Sequence, residues 1–251
     1  MSIVIHKKDD FKKMNDAGNL AARVLDYIED YVTEGISTNE LNDLCHEYII
    51  KNNAIPAPLN YNGFPKSICT SVNHVVCHGI PSEYKLQKSD IINIDVTVIL
   101  DGWHGDTSKM FYIDKIPLKT KKLIRNTKQC LDKAISIIKP GIKTGDIGNI
   151  IQNHAEEEGL SVVRDYCGHG IGKTFHAKPN ILHYGEKNTG IVLKEGMFFT
   201  IEPMINLGKA ETILSQYDGW TVTTKDKSLS AQFEHTIGIT KEGCQVFTLL
   251  S

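Results

Sequence analysis

Apolar residues recur at helical period from Phe11 onward. Met14, Ala17, Leu20, Ala21, Val24, Leu25, Ile28 and Val32 fall on one stripe, with Asp10 placed to cap the first turn. Ser37 and Glu40 form a capping box for a second helix carrying Leu41, Leu44, Cys45, Tyr48 and Ile49 on one face. From about 55 to 85 the chain is rich in Pro, Gly and Asn, which predicts loops with short strands. The period then changes to alternation. "IINIDVTVIL" puts Asn93, Asp95 and Thr97 on one face of a strand and Ile92, Ile94, Val96 and Val98 on the other. Asp101-Gly102 is a two-residue hairpin signal, so a return strand follows with Asp106 opposite Thr97. A further helix is predicted over about 118–138, stopping at Pro140-Gly141, and another begins at Thr144. "MFFTIEPMI" and "SAQFEHTIGIT" read as strands. In the second, Gln232, Glu234 and Thr236 share a face, and Phe233, His235 and Ile237 the other.

Two stretches match each other. "GISTNELNDL" from Gly35 and "GIKTGDIGNI" from Gly141 align as G-I-x-T-x-[ED]-[LI]-x-[DN]-[LI], and the preceding helices carry Leu25-Asp26 and Leu131-Asp132 in register. The match predicts a duplicated unit: one domain over 1-251, with halves at roughly 10-115 and 116-245. Asp95 follows Gly35 by 60 residues and Glu202 follows Gly141 by 61, each a carboxylate within an apolar strand-like run.

Composition narrows the class. Of 251 residues, 41% are hydrophobic and 23% charged, which suits a soluble globular protein with a substantial core. A net charge of -2 gives no support for a nucleic-acid groove or an acidic lipid surface. Six cysteines are scattered without a C-x-x-C pair and read as reduced thiols. The first residues lack a signal peptide's apolar core, and no window supplies the about 18 apolar residues of a membrane span. A cytoplasmic chain is expected.

"CGHGIGKTF" imitates a phosphate-binding loop but fails its two requirements. The position of the first glycine is Cys167, and Pro179 interrupts any helix after Lys173-Thr174. Its histidine reads better beside the carboxylates. Asp95 and Asp106 are diagonal neighbours on one face of the hairpin, about 7–8 Å apart at the backbone. If the halves pack face to face, Glu202 and Glu234 join them, and each adjacent pair costs about 3 kcal/mol of repulsion at 5 Å. A divalent cation relieves that repulsion. His169, flanked by glycines, can complete the cluster as its one nitrogen ligand. Four carboxylates and an imidazole exceed a tetrahedral zinc site and suit two bridged ions.

The words "NIDVTVILDGWHGDTSKMF", "GHGIG", "FTIEPMI" and "DGWTVTTKDKSLSAQFEHT", with Asp95, Asp106, His169, Glu202 and Glu234 in that order, resemble the methionine aminopeptidases along essentially the whole chain. The resemblance implies an α/β (α+β) pita-bread fold: two pseudo-symmetric halves, a curved antiparallel sheet and covering helices around a dinuclear metal site. It implies two divalent ions (Co, Mn, Fe or Zn) on those five side chains, with Glu202 also acting on the attacking water. His78 and His176 would contact substrate at the peptide nitrogen and carbonyl. Tyr61, Phe64, Cys69, Phe175 and Trp220 would line the methionine pocket. Pro58 departs from the family, where many members place a cysteine.

Only 32 residues separate Glu202 from Glu234, which leaves no room for the helical insertion of type II enzymes, so the chain resembles a short bacterial-style type I form. The implied reaction is hydrolysis of the initiator methionine from nascent polypeptides, favouring a small second residue. Docking near the ribosome exit and a monomeric state go with that task. A non-catalytic pita-bread binding module would have lost ligands that this chain keeps. An X-Pro peptidase would need an additional N-terminal domain.

Overall fold

The computed structural model describes residues 2–250. The chain opens with helices α1 (Lys8–Glu29) and α2 (Thr38–Lys51), then the short strands β1 (Ile55–Pro56), β2 (Cys69–Val72) and β3 (Val75–Cys77). The long strands β4 (Ile91–Leu100) and β5 (Trp103–Tyr112) follow, then helices α3 (Leu118–Ser136) and α4 (Thr144–Glu157). The remainder is strand and loop: β6 (Ser161–Val162), β7 (Gly168–Gly170), β8 (Ala177–Ile181), β9 (Phe198–Ile201), β10 (Met204–Asn206), β11 (Thr212–Leu214), β12 (Val222–Thr224), β13 (Ser230–Gln232), β14 (His235–Ile239) and β15 (Cys244–Val246).

All strand pairings are antiparallel among the described residues. β4 pairs with β1 and β2 on one side and with β5 on the other; a five-stranded sheet runs β15-β14-β9-β7-β8. The Asp101-Gly102 turn joins β4 to β5 with positive φ at both residues, 49° and 79°, which matches the right-handed twist of the strands it links. The register that turn imposes pairs Thr97 with Asp106 and Asp95 with Ser108.

Helices α1 and α2 cover one face of the β4–β5 sheet, while α3 and α4 cover strands of both the five-stranded sheet and the β13-β10-β6 sheet. Leu20, Val24, Leu25 and Ile28 of α1 and Leu41, Cys45 and Ile49 of α2 pack on Ile92, Ile94, Val96 and Val98. Each large aliphatic side chain so buried contributes about 1.5–3 kcal/mol. Leu123, Leu131, Ile147 and Ile151 of α3 and α4 pack on Phe199, Ile201, Ile205 and Ile237. The inner faces are therefore left for polar side chains.

Two sequence expectations are corrected. Asp10 does not stand at the N-cap of α1; Lys7 does, and Asp10, in the first turn, accepts from the Lys7 amide at 2.9 Å. The runs around Glu202 and Glu234 are not continuous strands. Glu202-Pro203 breaks the path between β9 and β10, and Phe233-Glu234 breaks it between β13 and β14. At each break the chain leaves one sheet and enters another. Ser37 caps α2 and exchanges hydrogen bonds with Glu40 as expected.

Candidate metal centre

Alternation along β4 and β5 turns Asp95 and Asp106 to the inner face, opposite the apolar side chains that hold α1 and α2. The free edge of β5 meets the second half of the chain. The Glu234 amide donates to the Ser108 carbonyl at 3.1 Å, and Thr107 Oγ1 donates to the Glu234 carbonyl at 2.7 Å. Thr236 Oγ1 engages both main-chain groups of Asp106: it donates to the carbonyl at 2.6 Å and accepts from the amide at 3.3 Å. Asn93 Nδ2 adds a bond of 2.8 Å to the Gln232 carbonyl. This seam places Glu234 beside the hairpin carboxylates.

His169 arrives on β7. A Cβ at Gly168 would lie 2.4 Å from the Thr200 carbonyl oxygen, and one at Gly170 would lie 2.1 Å from that of Lys178. Only glycine on either side lets β7 fit between β8 and β9. Asp106, His169 and Glu234 each offer a ligand atom, all within 4.8 Å of one another. His169 Nε2 is 3.6 Å from Asp106 Oδ2 and 3.7 Å from Glu202 Oε1.

These groups form the floor of a cavity of about 400 Å³. Asp95, Asp106, His169, Glu202, Glu234, His78, His176, Tyr61, Phe64, Cys69, Phe175 and Trp220 all border it, so every side chain singled out in the sequence is brought to one place. Pro58, Cys77, Tyr166 and Met204 complete the apolar wall. Trp220 meets Phe64 edge-on at 5.2 Å, and Tyr61 donates to or accepts from His176 Nδ1 at 2.9 Å. His176 stands at the exposed rim.

No lysine or arginine lines the cavity among the described residues. Burial alone raises Asp95 to about 7. Burial, then repulsion from the neighbouring carboxylates, pushes Asp106, Glu202 and Glu234 well above the usual range. Burial also lowers His169 to about 3, assisted by His176, so its imidazole is neutral and offers a lone pair. Buried carboxylates without a basic partner beside a neutral imidazole are the donor set a hard or borderline divalent cation satisfies. The residues present fit such ions.

Further polar residues shape the centre. Thr97 Oγ1 donates to Asp106 Oδ1 at 2.7 Å. Thr200 Oγ1 donates to Glu202 Oε1 at 2.8 Å and accepts from the His169 amide at 3.0 Å. Gln232 Nε2 lies 3.3 Å from Glu202 Oε2. Thr97, Thr200, Gln232 and Thr236 each stand two positions from a carboxylate named above, where alternation keeps both on one face. That spacing is the signal by which they could have been found.

Antiparallel sheets backed by paired helices, with carboxylates and one imidazole lining a cleft, define a metal-dependent hydrolase of pita-bread architecture. The chain belongs to metallopeptidase family M24, whose model matches residues 12–241. It is 63% identical over 249 residues to a protein named methionine aminopeptidase from Rickettsia prowazekii (strain Madrid E), covering 99% of this chain and 96% of that one. The protein of that name from Escherichia coli (strain K12) is 55% identical, over 99% of this chain and 95% of its own. Crystal structures of methionine aminopeptidases from Rickettsia prowazekii and Thermotoga maritima superpose with TM-scores of 0.98 and 0.96; the second is 37% identical, covering 98% of this chain and 99% of that one. A prolidase from Pyrococcus horikoshii, at 21% identity, shares the fold over 99% of this chain and 64% of its own, with a TM-score of 0.77. No helix among the described residues is long and apolar enough to cross a membrane.

Proposed function

We propose that the chain removes the initiator methionine from newly made polypeptides, with two divalent ions held by Asp95, Asp106, His169, Glu202 and Glu234. Convergence of five side chains with no basic partner, under a wall of aromatic and sulfur-bearing residues, carries the reading. All five come from one chain, so a monomer suffices. Co, Mn, Fe and Zn each tolerate this donor set.

Bound ions supply Lewis acidity and an activated water at neutral pH. Glu202, raised in pKa by burial and held by Thr200, takes a proton from the attacking water. His78 orients the scissile peptide from the nitrogen side. His176, fixed through Nδ1 by Tyr61, presents Nε2 toward the carbonyl. Tyr61, Phe64, Cys69, Phe175 and Trp220 receive the methionine side chain; aromatic faces suit a thioether at about 0.3–1.5 kcal/mol per contact. Closure of the cleft around the floor favours a small second residue, and free N-termini leaving the ribosome are the substrate class.

The single domain is a duplication in this reading. Gly35 and Gly141 both take φ near the same positive value, 91° and 95°, one turn ahead of α2 and α4. Ser37 and Lys143, two residues on, each form an isolated bridge to a later strand-like residue, Lys85 and Val192. The halves meet at the seam along β5.

The test is hydrolysis of Met-Ala-Ser against Met-Leu-Ser, with and without chelator. Cleavage of the first, slow cleavage of the second and loss of both on chelation are expected. Equal rates, or indifference to chelator, reject the proposal. Cleavage of X-Pro peptides instead would establish the other peptidase activity carried on this fold.

A further inference from the structure

Behind the metal centre, outside the cavity lining, lies a fully buried imidazole to which the reaction above gives no part. His183 follows β8, and its Nε2 is 3.2 Å from the amide nitrogen of Glu202. That amide is an awkward one. β9 ends at Ile201, the last residue paired with β14, and Pro203 confines Glu202 to extended backbone at the break before β10. Glu202 N–H is thereby left off both ladders, and a donor without a partner inside a protein is costly. The ring nitrogen supplies its acceptor.

Acceptance through Nε2 fixes the tautomer, because the single proton of a neutral imidazole must then sit on Nδ1. Nδ1 is itself buried and has no hydrogen-bond partner. A residue that only filled space here would be cheaper as leucine, which brings no unpaired donor of its own into the interior. The one engaged atom of His183 is the one facing Glu202.

We infer that His183 is a positioning residue for Glu202: its Nε2 anchors the main chain at the β9–β10 break and so sets where the Glu202 carboxylate stands. Thr200 and Gln232 hold the two carboxylate oxygens from the front, while His183 holds the backbone from behind. The inference rests on the metal-site role proposed for Glu202.

Three variants separate an acceptor from mere bulk. Glutamine can place Oε1 near the site of Nε2; asparagine is too short to reach it; leucine has similar volume and no acceptor. Mn²⁺ titrated calorimetrically into chelator-stripped protein gives affinity, and Met-Ala-Ser hydrolysis gives kcat and KM. For His183→Leu and His183→Asn, Mn²⁺ affinity and kcat are expected to fall about 10- to 100-fold with KM little changed, as for other residues that orient a metal ligand. His183→Gln is expected to stay within about threefold of wild type. Leu and Asn variants that bind Mn²⁺ and turn over like wild type overturn the inference. So does a Gln variant as damaged as the other two, since bulk or ring shape would then be the requirement. Should His183→Leu not fold, the Asn–Gln pair decides alone. Wild-type protein that binds no Mn²⁺ would refute the metal-site role and, with it, this inference; wild-type binding matched by every variant refutes only the inference.

Discussion

Thr236→Val tests the seam between the halves. Thr236 is fully buried on β14, and its hydroxyl serves both the amide and the carbonyl of Asp106, across 130 residues of sequence. Valine keeps the shape and removes the oxygen. Both Asp106 main-chain groups then lose their partner on the free edge of β5, at a cost of about 1–3 kcal/mol each, or roughly 2–6 kcal/mol together. For a chain of this length about 2–4 °C of Tm accompanies each kcal/mol, so the metal-stripped variant should melt roughly 4–24 °C below wild type. Scanning calorimetry at one pH and one scan rate reads this directly. Thr236→Ser retains the oxygen and should recover most of the loss, which separates the hydrogen bonds from the methyl group. A valine variant melting within about 2 °C of wild type would show that the hydroxyl does not hold the seam.

Other tests follow from the same geometry. Thr200→Val frees Glu202 Oε1 and orphans the His169 amide, and should weaken divalent-metal affinity about 10- to 100-fold by calorimetry. Tyr61→Phe releases His176 Nδ1 and should lower kcat about tenfold while leaving metal affinity unchanged. Trp220→Ala removes the partner of Phe64 from the pocket wall and should raise KM for methionyl peptides about tenfold or more, with little change in kcat. The four floor carboxylates have pKa values raised by burial, so folding binds protons there. Their protonated state favours the native fold fully below about pH 4, and the benefit is lost as pH rises through about 7 for Asp95 and through the raised values of the other three. The Tm of stripped protein should accordingly fall between pH 6 and pH 8.5, and excess Mn²⁺ should flatten the fall; a stripped protein whose Tm rises over that interval contradicts the assignment.

The hairpin was legible because a two-residue turn fixes register: Asp101-Gly102 alone implies Asp106 opposite Thr97, and the pairing is so. Helix α2 begins where its Ser37–Glu40 capping box placed it, and α3 and α4 begin as expected although Lys143, like Lys7, offers no capping side chain; α1 misled because Asp10, which accepts from the Lys7 amide inside the first turn, was read as the cap itself. The breaks at Glu202 and Glu234 were hidden by alternation that continues through them; Pro203 was the one local clue. His183 was out of reach altogether. Its partner is a main-chain amide 19 residues away, and main-chain groups leave no pattern in a sequence.

The seam along β5 has a consequence for how the molecule assembles. The β4–β5 hairpin closes over a short loop, whereas β14 can reach it only after the intervening chain has found its own place, and long closures come late. The turn alone brings Asp95 and Asp106 to one face, whereas Glu234 joins them only through pairing across more than 120 residues of sequence. A cation captured at that moment acts as a clasp, adding its binding free energy to the finished protein and to no partly built one.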